Sequence, residues 1–289
     1  MIPPFEYKTP KTLREACNLL QEMGDQARII AGGTDLVIGL RNGSLKPQCL
    51  IDVTSIPELR KIDETDGMVS IGASVTHSEI ASSSVIRQHG KVLSDAASMI
   101  GSPQIRNLGT IGGNIANASP AADTIPPLMV LDAVGKVVSK QGEREVPFFQ
   151  LIEGPYETSL KPDELLVEVK FQKLYPDSKC SFVRLGRREA MAIARMSVAI
   201  VLEMEKENGL MRDVRISVGS VTPTPNRMTD VEAMLRGRCL GDGLLQMAAK
   251  RVSEVMIHRT GIRHSTSYKK PVIEALFMRA MRKALEEEA

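Results

Sequence analysis

Apolar residues recur at helical spacing at Leu13, Ala16, Leu19 and Leu20, just behind Thr12 and Glu15, which are placed to form a capping box. Gly24 is a natural stop for this helix. Ala27-Arg-Ile-Ile-Ala31 follows as a short apolar strand that runs straight into Gly32-Gly33. Residues 49–53 read as a second buried strand. Residues 61–64 and 68–72 flank Asp66-Gly67, a tight-turn pair, and so predict a hairpin. Helical spacing returns over 76–86, 91–100 and 124–133. A second hairpin is expected over 136–146, turning at Gln141-Gly142.

The texture changes near residue 175. Residues 165–171, 180–185, 192–205 and 214–221 read as strands, with a turn at Asn208-Gly209 and a stop at Thr222-Pro-Thr-Pro225. From Asp230 onward the pattern is helical, over 231–235, 244–256 and 271–287. Strands followed by helices suggest a separate α+β unit. The expected division is 1–175 and 176–289, where Tyr-Pro-Asp-Ser at 175–178 breaks the pattern. The chain's 289 residues are enough for two or three domains.

Net charge is only +2, so neither nucleic acid nor an anionic membrane surface is expected as the main partner. The opening MIPPFEYKTP lacks a signal-peptide core, and no apolar run is long enough for a membrane span. A cytoplasmic protein is expected. Cys17, Cys49, Cys180 and Cys239 are scattered, as are His77, His89, His258 and His264, so no metal or iron–sulfur site of the chain's own is expected. The cysteines read as reduced and mostly buried thiols, and Met191, Met196, Met204 and Met211 as core filling. Redox chemistry would have to come from a ligand.

Two stretches ask for an explanation: IIAGGTDL at 29–36 and TIGGNIANASPAAD at 110–123. Glycine permits positive φ and close approach, so successive N–H groups can face one concavity and hold an anion. Thr34, Thr110 and Asn114 would add polar groups at the rim. Each run alone serves equally well as a packing turn. Neither is a Walker motif, and neither gives G-x-G-x-x-G. Two such runs together favour a phosphate-bearing ligand gripped from both sides. Asp123, an acceptor only, suits ligand hydroxyls such as those of a ribityl chain, or else the start of the following helix.

These two motifs, with Leu165-Leu-Val-Glu-Val169, Phe182-Val-Arg-Leu-Gly-Arg-Arg188 and Ser267-Tyr268-Lys269, resemble the FAD-binding medium subunit of the molybdenum hydroxylases. That family includes the carbon monoxide dehydrogenase medium subunit and the flavin subunit of xanthine dehydrogenase. The resemblance covers nearly the whole chain. It implies a two-subdomain FAD-binding fold of the vanillyl-alcohol oxidase and p-cresol methylhydroxylase type, followed by a C-terminal α+β domain. It also implies cofactor contacts at Ile29, Ile30, Ala31, Gly32, Gly33, Thr34, Asp35 and Leu36, and at Thr110, Ile111, Gly112, Gly113, Asn114 and Asp123. Ile100 and Leu166 fall where the family places apolar contacts to the cofactor, and serve as well as plain core residues. Arg184 stands where a basic residue lies near the isoalloxazine, with Val183 or Arg187 as alternatives of register. A cation there would stabilise reduced flavin.

The resemblance further implies that the molybdenum cofactor and [2Fe-2S] clusters reside on large and small partner subunits, in a dimer of heterotrimers. Electrons would pass from the partner's clusters to FAD and on to an external acceptor, with no catalytic side chain in this chain. The iron–sulfur insertion of the related 4-hydroxybenzoyl-CoA reductase flavin subunit has no counterpart, for no cysteine cluster exists. Two other readings compete: a flavin-free scaffold, and a stand-alone flavin oxidase of the same fold.

Overall fold

The computed structural model describes residues 4–188 and 191–286. The first sheet holds strands β1 (Glu6–Lys8), β2 (Ala27–Ile30) and β3 (Cys49–Asp52), with β3 central and both pairings parallel. Parallel strands need a crossover, and helix α1 (Leu13–Met23) supplies it between β1 and β2. The Thr12 cap forms, with Glu15 N–H donating to Thr12 Oγ1 at 3.2 Å, but Glu15 Oε2 accepts from Lys11 N–H instead of Thr12 N–H, so the expected box is only half made; Gly24 ends α1 with φ of 50°. Helix α2 (Leu36–Asn42) links β2 to β3.

Next come the hairpin β4 (Ile62–Thr65) and β5 (Met68–Gly72), and then a string of short helices: α3 (His77–Ser82), α4 (Ser84–His89), α5 (Lys91–Ser98), α6 (Pro103–Leu108), α7 (Ile111–Asn117) and α8 (Ile125–Val130). Strands β6 (Val134–Ser139) and β7 (Gly142–Pro147), helix α9 (Phe148–Leu151), the small hairpin β8 (Ile152–Gly154) and β9 (Glu157–Thr158), and the long β10 (Leu165–Gln172) complete this half. The second sheet has the order β4-β5-β10-β6-β7 and is antiparallel throughout. The predicted helix over 76–86 is broken at Ser83. That residue is extended, with φ −63° and ψ 123°, and its hydroxyl accepts from Ile86 N–H to start α4.

The third sheet is an antiparallel meander of β11 (Lys179–Leu185), β12 (Met196–Met204) and β13 (Met211–Gly219). Helices α10 (Thr229–Leu235), α11 (Asp242–Thr260) and α12 (Thr266–Glu286) follow. Both faces of this sheet are covered. Val183, Val198, Ile200 and Leu202 pack among residues of α11 and α12, whereas Phe182, Ala199 and Val201 pack into the core built by α5 and α8. That explains why β12 reads as a continuous apolar run rather than an alternating one. It also fixes the third sheet against the first half, through side chains each worth about 1.5–3 kcal/mol of burial.

Met196 and Met211 are fully buried, as expected, but Met191 is 60 % exposed and fills no core. Helix α12 begins ahead of the expected start, with Pro271 inside it, and Glu287 lies outside the described residues. Among the described residues no helix is long and apolar enough to cross a membrane.

Candidate functional site

β2 delivers the first glycine run. Beyond Ile30 the chain bends at Gly32-Gly33, with Gly33 at φ of 67°, a conformation that favours glycine. The N–H groups of Gly33, Thr34 and Asp35 find no acceptor among the described residues, so they are free to serve a ligand. Ile29, Ile30, Ala31, Gly32, Gly33, Thr34 and Leu36 are all half-buried, and Asp35 is exposed.

The second run meets the first directly. A Cβ on Gly32 would stand 1.8 Å from the Leu108 carbonyl oxygen and 3.0 Å from Gly109 Cα. Only glycine at 32 lets the chain entering the second run pass so close. Gly109 to Gly112 then pairs with Ala73 to His77: His77 N–H donates to Gly109 O, Ile111 N–H to Val75 O and Gly112 N–H to Ala73 O, at 3.0, 3.0 and 2.9 Å.

Here the structure departs from the sequence expectation of a second open bend. Gly112 and Gly113 form the first turn of α7. Thr110 Oγ1 caps that turn by accepting from Gly113 N–H at 3.1 Å, and Asn114 N–H donates to Thr110 O. The Gly112 and Gly113 amides therefore have protein acceptors. Gly112 is glycine for packing, since a Cβ there would lie 2.6 Å from Ala73 Cβ. Gly113 is exposed, and a Cβ there would meet only Thr110 Oγ1 within 4 Å, so its outer side is open. Asn114 Oδ1 accepts from the Thr124 hydroxyl at 2.6 Å, which ties the run to the residue after Asp123.

Asp123 is 7 % exposed and bonds Arg184 Nη1 through Oδ2 at 2.7 Å. Its other oxygen, Oδ1, is buried with no partner among the described residues. An orphaned buried acceptor is costly, and a ligand hydroxyl would satisfy it. Burial pushes the Asp123 carboxyl up to about 6 despite the opposing Arg184 guanidinium. Arg184 also donates to Ala192 O at 3.3 Å. At β11, Val183 points into the core with α11 and α12, Arg187 is exposed, and Arg184 turns to Asp123.

Ile100 and Leu166 are the remaining expected positions. Ile100 is half-buried in the bend that follows α5, and its carbonyl accepts from Arg106 Nη1. Leu166 is 4 % exposed inside the main core, against Gly135. Sequence reasoning passed over His77, which is 2 % exposed, lies against Gly109, and has an Nδ1 with no partner among the described residues. Burial pushes its pKa down to about 4, helped by Arg106, so it is neutral near pH 7. The one available signal was its place just inside the Thr76–Glu79 capping box, beside a strand-like stretch. Among the described residues no group of His, Cys, Asp and Glu could hold a metal ion.

Residues 3–171 match the family model described as FAD binding domain in molybdopterin dehydrogenase, and residues 181–284 match the CO dehydrogenase flavoprotein C-terminal domain. The chain belongs to this flavoprotein family. It is 34% identical to the 6-hydroxypseudooxynicotine dehydrogenase complex subunit alpha of Paenarthrobacter nicotinovorans, over 98% of this chain and 95% of that one. It is 31% identical to the carbon monoxide dehydrogenase medium chain of Hydrogenophaga pseudoflava, over 98% of each. The solved carbon monoxide dehydrogenase from Hydrogenophaga pseudoflava that lacks the Mo-pyranopterin moiety superposes with a TM-score of 0.91 at 31% identity, covering 99% of each chain. Quinoline 2-oxidoreductase from Pseudomonas putida 86 gives 0.90 at 28% identity over 98% of each.

The fold of this flavoprotein is thus the two-part FAD-binding fold followed by the family's C-terminal α+β unit. Its donor set fits a dinucleotide: free N–H groups at Gly33 to Asp35 for phosphate, and the Asp123 acceptor for a hydroxyl. Leu108, whose backbone seats on Gly32, exposes 58 % of its surface beside the bend.

Proposed function

We propose that the chain is the FAD-binding subunit of a molybdenum-containing hydroxylase. The observation that carries this reading is the junction of the two glycine runs, with free amides on one side and the orphaned Asp123 oxygen on the other. In this reading Ile29 to Leu36 and Thr110 to Asn114 hold the diphosphate. The first run does so by N–H donation, the second by close approach at Gly113 and through the Asn114 amide. Asp123 accepts from the ribityl chain, and Arg184 holds Asp123 in place and keeps a cation near the ring. Ile100 and Leu166 serve as apolar support.

FAD bound there would take electrons from [2Fe-2S] clusters on a small partner subunit and pass them to an external acceptor, the substrate being oxidised at molybdenum on a large subunit. No side chain of this chain need carry acid–base chemistry. The division at 1–175 and 176–289, a cytoplasmic location and a dimer-of-heterotrimers assembly belong to the same proposal. Purification from the native source, followed by metal and flavin analysis, tests it. The expected result is flavin in equal amount to this chain, together with iron, molybdenum and two further polypeptides. A chain that purifies without flavin would favour the scaffold reading, and one that oxidises a small organic substrate unaided would favour the oxidase.

A further inference from the structure

Charge is nearly balanced over the whole chain, at +2, but one stretch departs from that balance. From His258 to Lys270 the sequence carries His258, Arg259, Arg263, His264, Lys269 and Lys270, and no carboxylate. This stretch spans the end of α11, the connection, and the start of α12. Arg195, from the segment before β12, joins it by laying its guanidinium over the Tyr268 ring, 5.6 Å from the centroid.

None of Arg195, Arg259, Arg263, Lys269 and Lys270 has a carboxylate within ion-pair distance among the described residues. Elsewhere on the same helices cations are neutralised: Arg251 pairs with Asp230 at 2.7 Å, and Arg282 with Asp242 at 3.7 Å. Here they bond to carbonyl oxygens instead. Arg259 Nη2 donates to Arg227 O at 3.3 Å, Arg263 Nε to Thr260 O at 3.0 Å, and Lys269 Nζ to Ser220 O at 3.2 Å. Burial, and then the Arg263 guanidinium, hold Lys269 below the ordinary lysine range, as expected where like charges face one another uncompensated.

Large apolar side chains are exposed on the two segments that carry these cations. Ile262 is 88 % exposed, Ile193 80 %, Met191 60 % and Tyr268 45 %. Apolar, aromatic and arginine side chains exposed together are the composition of a protein interface, not of an ordinary solvated face. The surface adjoins the candidate cofactor site, for Ser220 donates through both N–H and Oγ to Pro120 O, at 3.2 and 3.3 Å, inside the second motif.

We propose that this surface docks an acidic protein, which sets its carboxylates against Arg195, Arg259, Arg263 and Lys270 and covers Ile193 and Ile262. A small anion would satisfy the cations but leave those apolar side chains in water, so a protein fits better. The redox purpose of the contact, and the iron readout below, rest on the reading above that the partner carries [2Fe-2S] clusters; the docking itself, read by labelling, does not. Docking of this kind gains on-rate and specificity from charge and weakens with salt.

The test is lysine acetylation by an N-hydroxysuccinimide ester, applied to the native complex and to the separated chain and read by mass spectrometry. Lys270 should label severalfold less in the complex, while the exposed Lys46 and Lys140 label equally in both. The double variant Arg263→Glu, Lys270→Glu should purify with full flavin but greatly reduced iron. Equal labelling of Lys270, a variant that keeps its full iron, or a native chain that purifies alone at low salt would each overturn the proposal. Flavin per chain is read separately, so loss of the flavin reading would be seen as such.

Discussion

The carbonyl oxygen of Leu108 occupies the place that a side chain on Gly32 would need. A Cβ at 32 would fall 1.8 Å from that oxygen, so two motifs far apart in sequence are held together by the absence of one carbon atom. Backbone, unlike the tip of a side chain, cannot step aside cheaply.

Gly32→Ala should therefore strain the chain by about 1–3 kcal/mol or more and displace one run from the other. Expected outcomes are a lower urea midpoint and loss of bound flavin. Gly243→Ala, inside the first turn of α11 with nothing within 4 Å, is the control and should be neutral or stabilising by up to about 1 kcal/mol. Equal behaviour of the two variants would show that the close approach is unimportant.

The Asp123 carboxyl makes the flavin-free chain sensitive to pH in a particular direction. Its folded pKa, about 6, lies above the unfolded value of 3.8. Stability from the protonated group is fully present below 3.8 and is lost as pH rises through 6, by on the order of 3 kcal/mol. Asp123→Asn cannot ionise, so its melting temperature should gain on the parent's as pH rises. Parallel melting curves for parent and variant between pH 4 and 7 would refute the burial argument.

His77 works in the opposite sense. Its folded pKa, about 4, lies below the unfolded value of 6.5, so its contribution is fully present above 6.5 and is lost as pH falls toward 4. The two groups offset each other in the parent over much of the same range. His77→Gln should expose the Asp123 decline with rising pH, and Asp123→Asn should expose the His77 gain. If both single variants keep the parent's flat profile, neither group is as desolvated as its burial implies.

Glu232 is a third buried charge with a defined load. It is 2 % exposed, accepts from Ile216 N–H at 2.8 Å, and takes two bonds from Arg227 at 2.8 Å each. Arg227 also reaches across to both carboxylate oxygens of Asp132. Glu232→Ala leaves the Ile216 N–H without a partner and the Arg227 guanidinium with only the exposed Asp132, and should cost about 3–5 kcal/mol. Asp132→Ala, at a side chain 60 % exposed, should cost about 1 kcal/mol or less. Denaturant unfolding of both variants checks the order.

Much of this architecture was legible because local signals agreed with the tertiary outcome. The Thr12 cap, the Asp66-Gly67 turn and the strand ahead of Gly32 each carry their reason within a few residues. Helix α7 was not legible, because Gly-Gly reads as a breaker. Packing of Gly112 on Ala73 and the Thr110 cap override that propensity. The Asp123–Arg184 pair was not legible either. Both residues were singled out, but the bond joins positions 61 apart in sequence, on different halves of the fold, and no local pattern encodes it.

The central claim is that the junction at Gly32 and Leu108 grips a diphosphate. Calorimetric titration of the folded, flavin-free chain with FAD and with riboflavin, which lacks phosphate, tests it most directly. The expected result is one FAD per chain, bound at least roughly a hundredfold more tightly than riboflavin. Equal affinity for the two, or no binding of FAD by a natively folded chain, would contradict it.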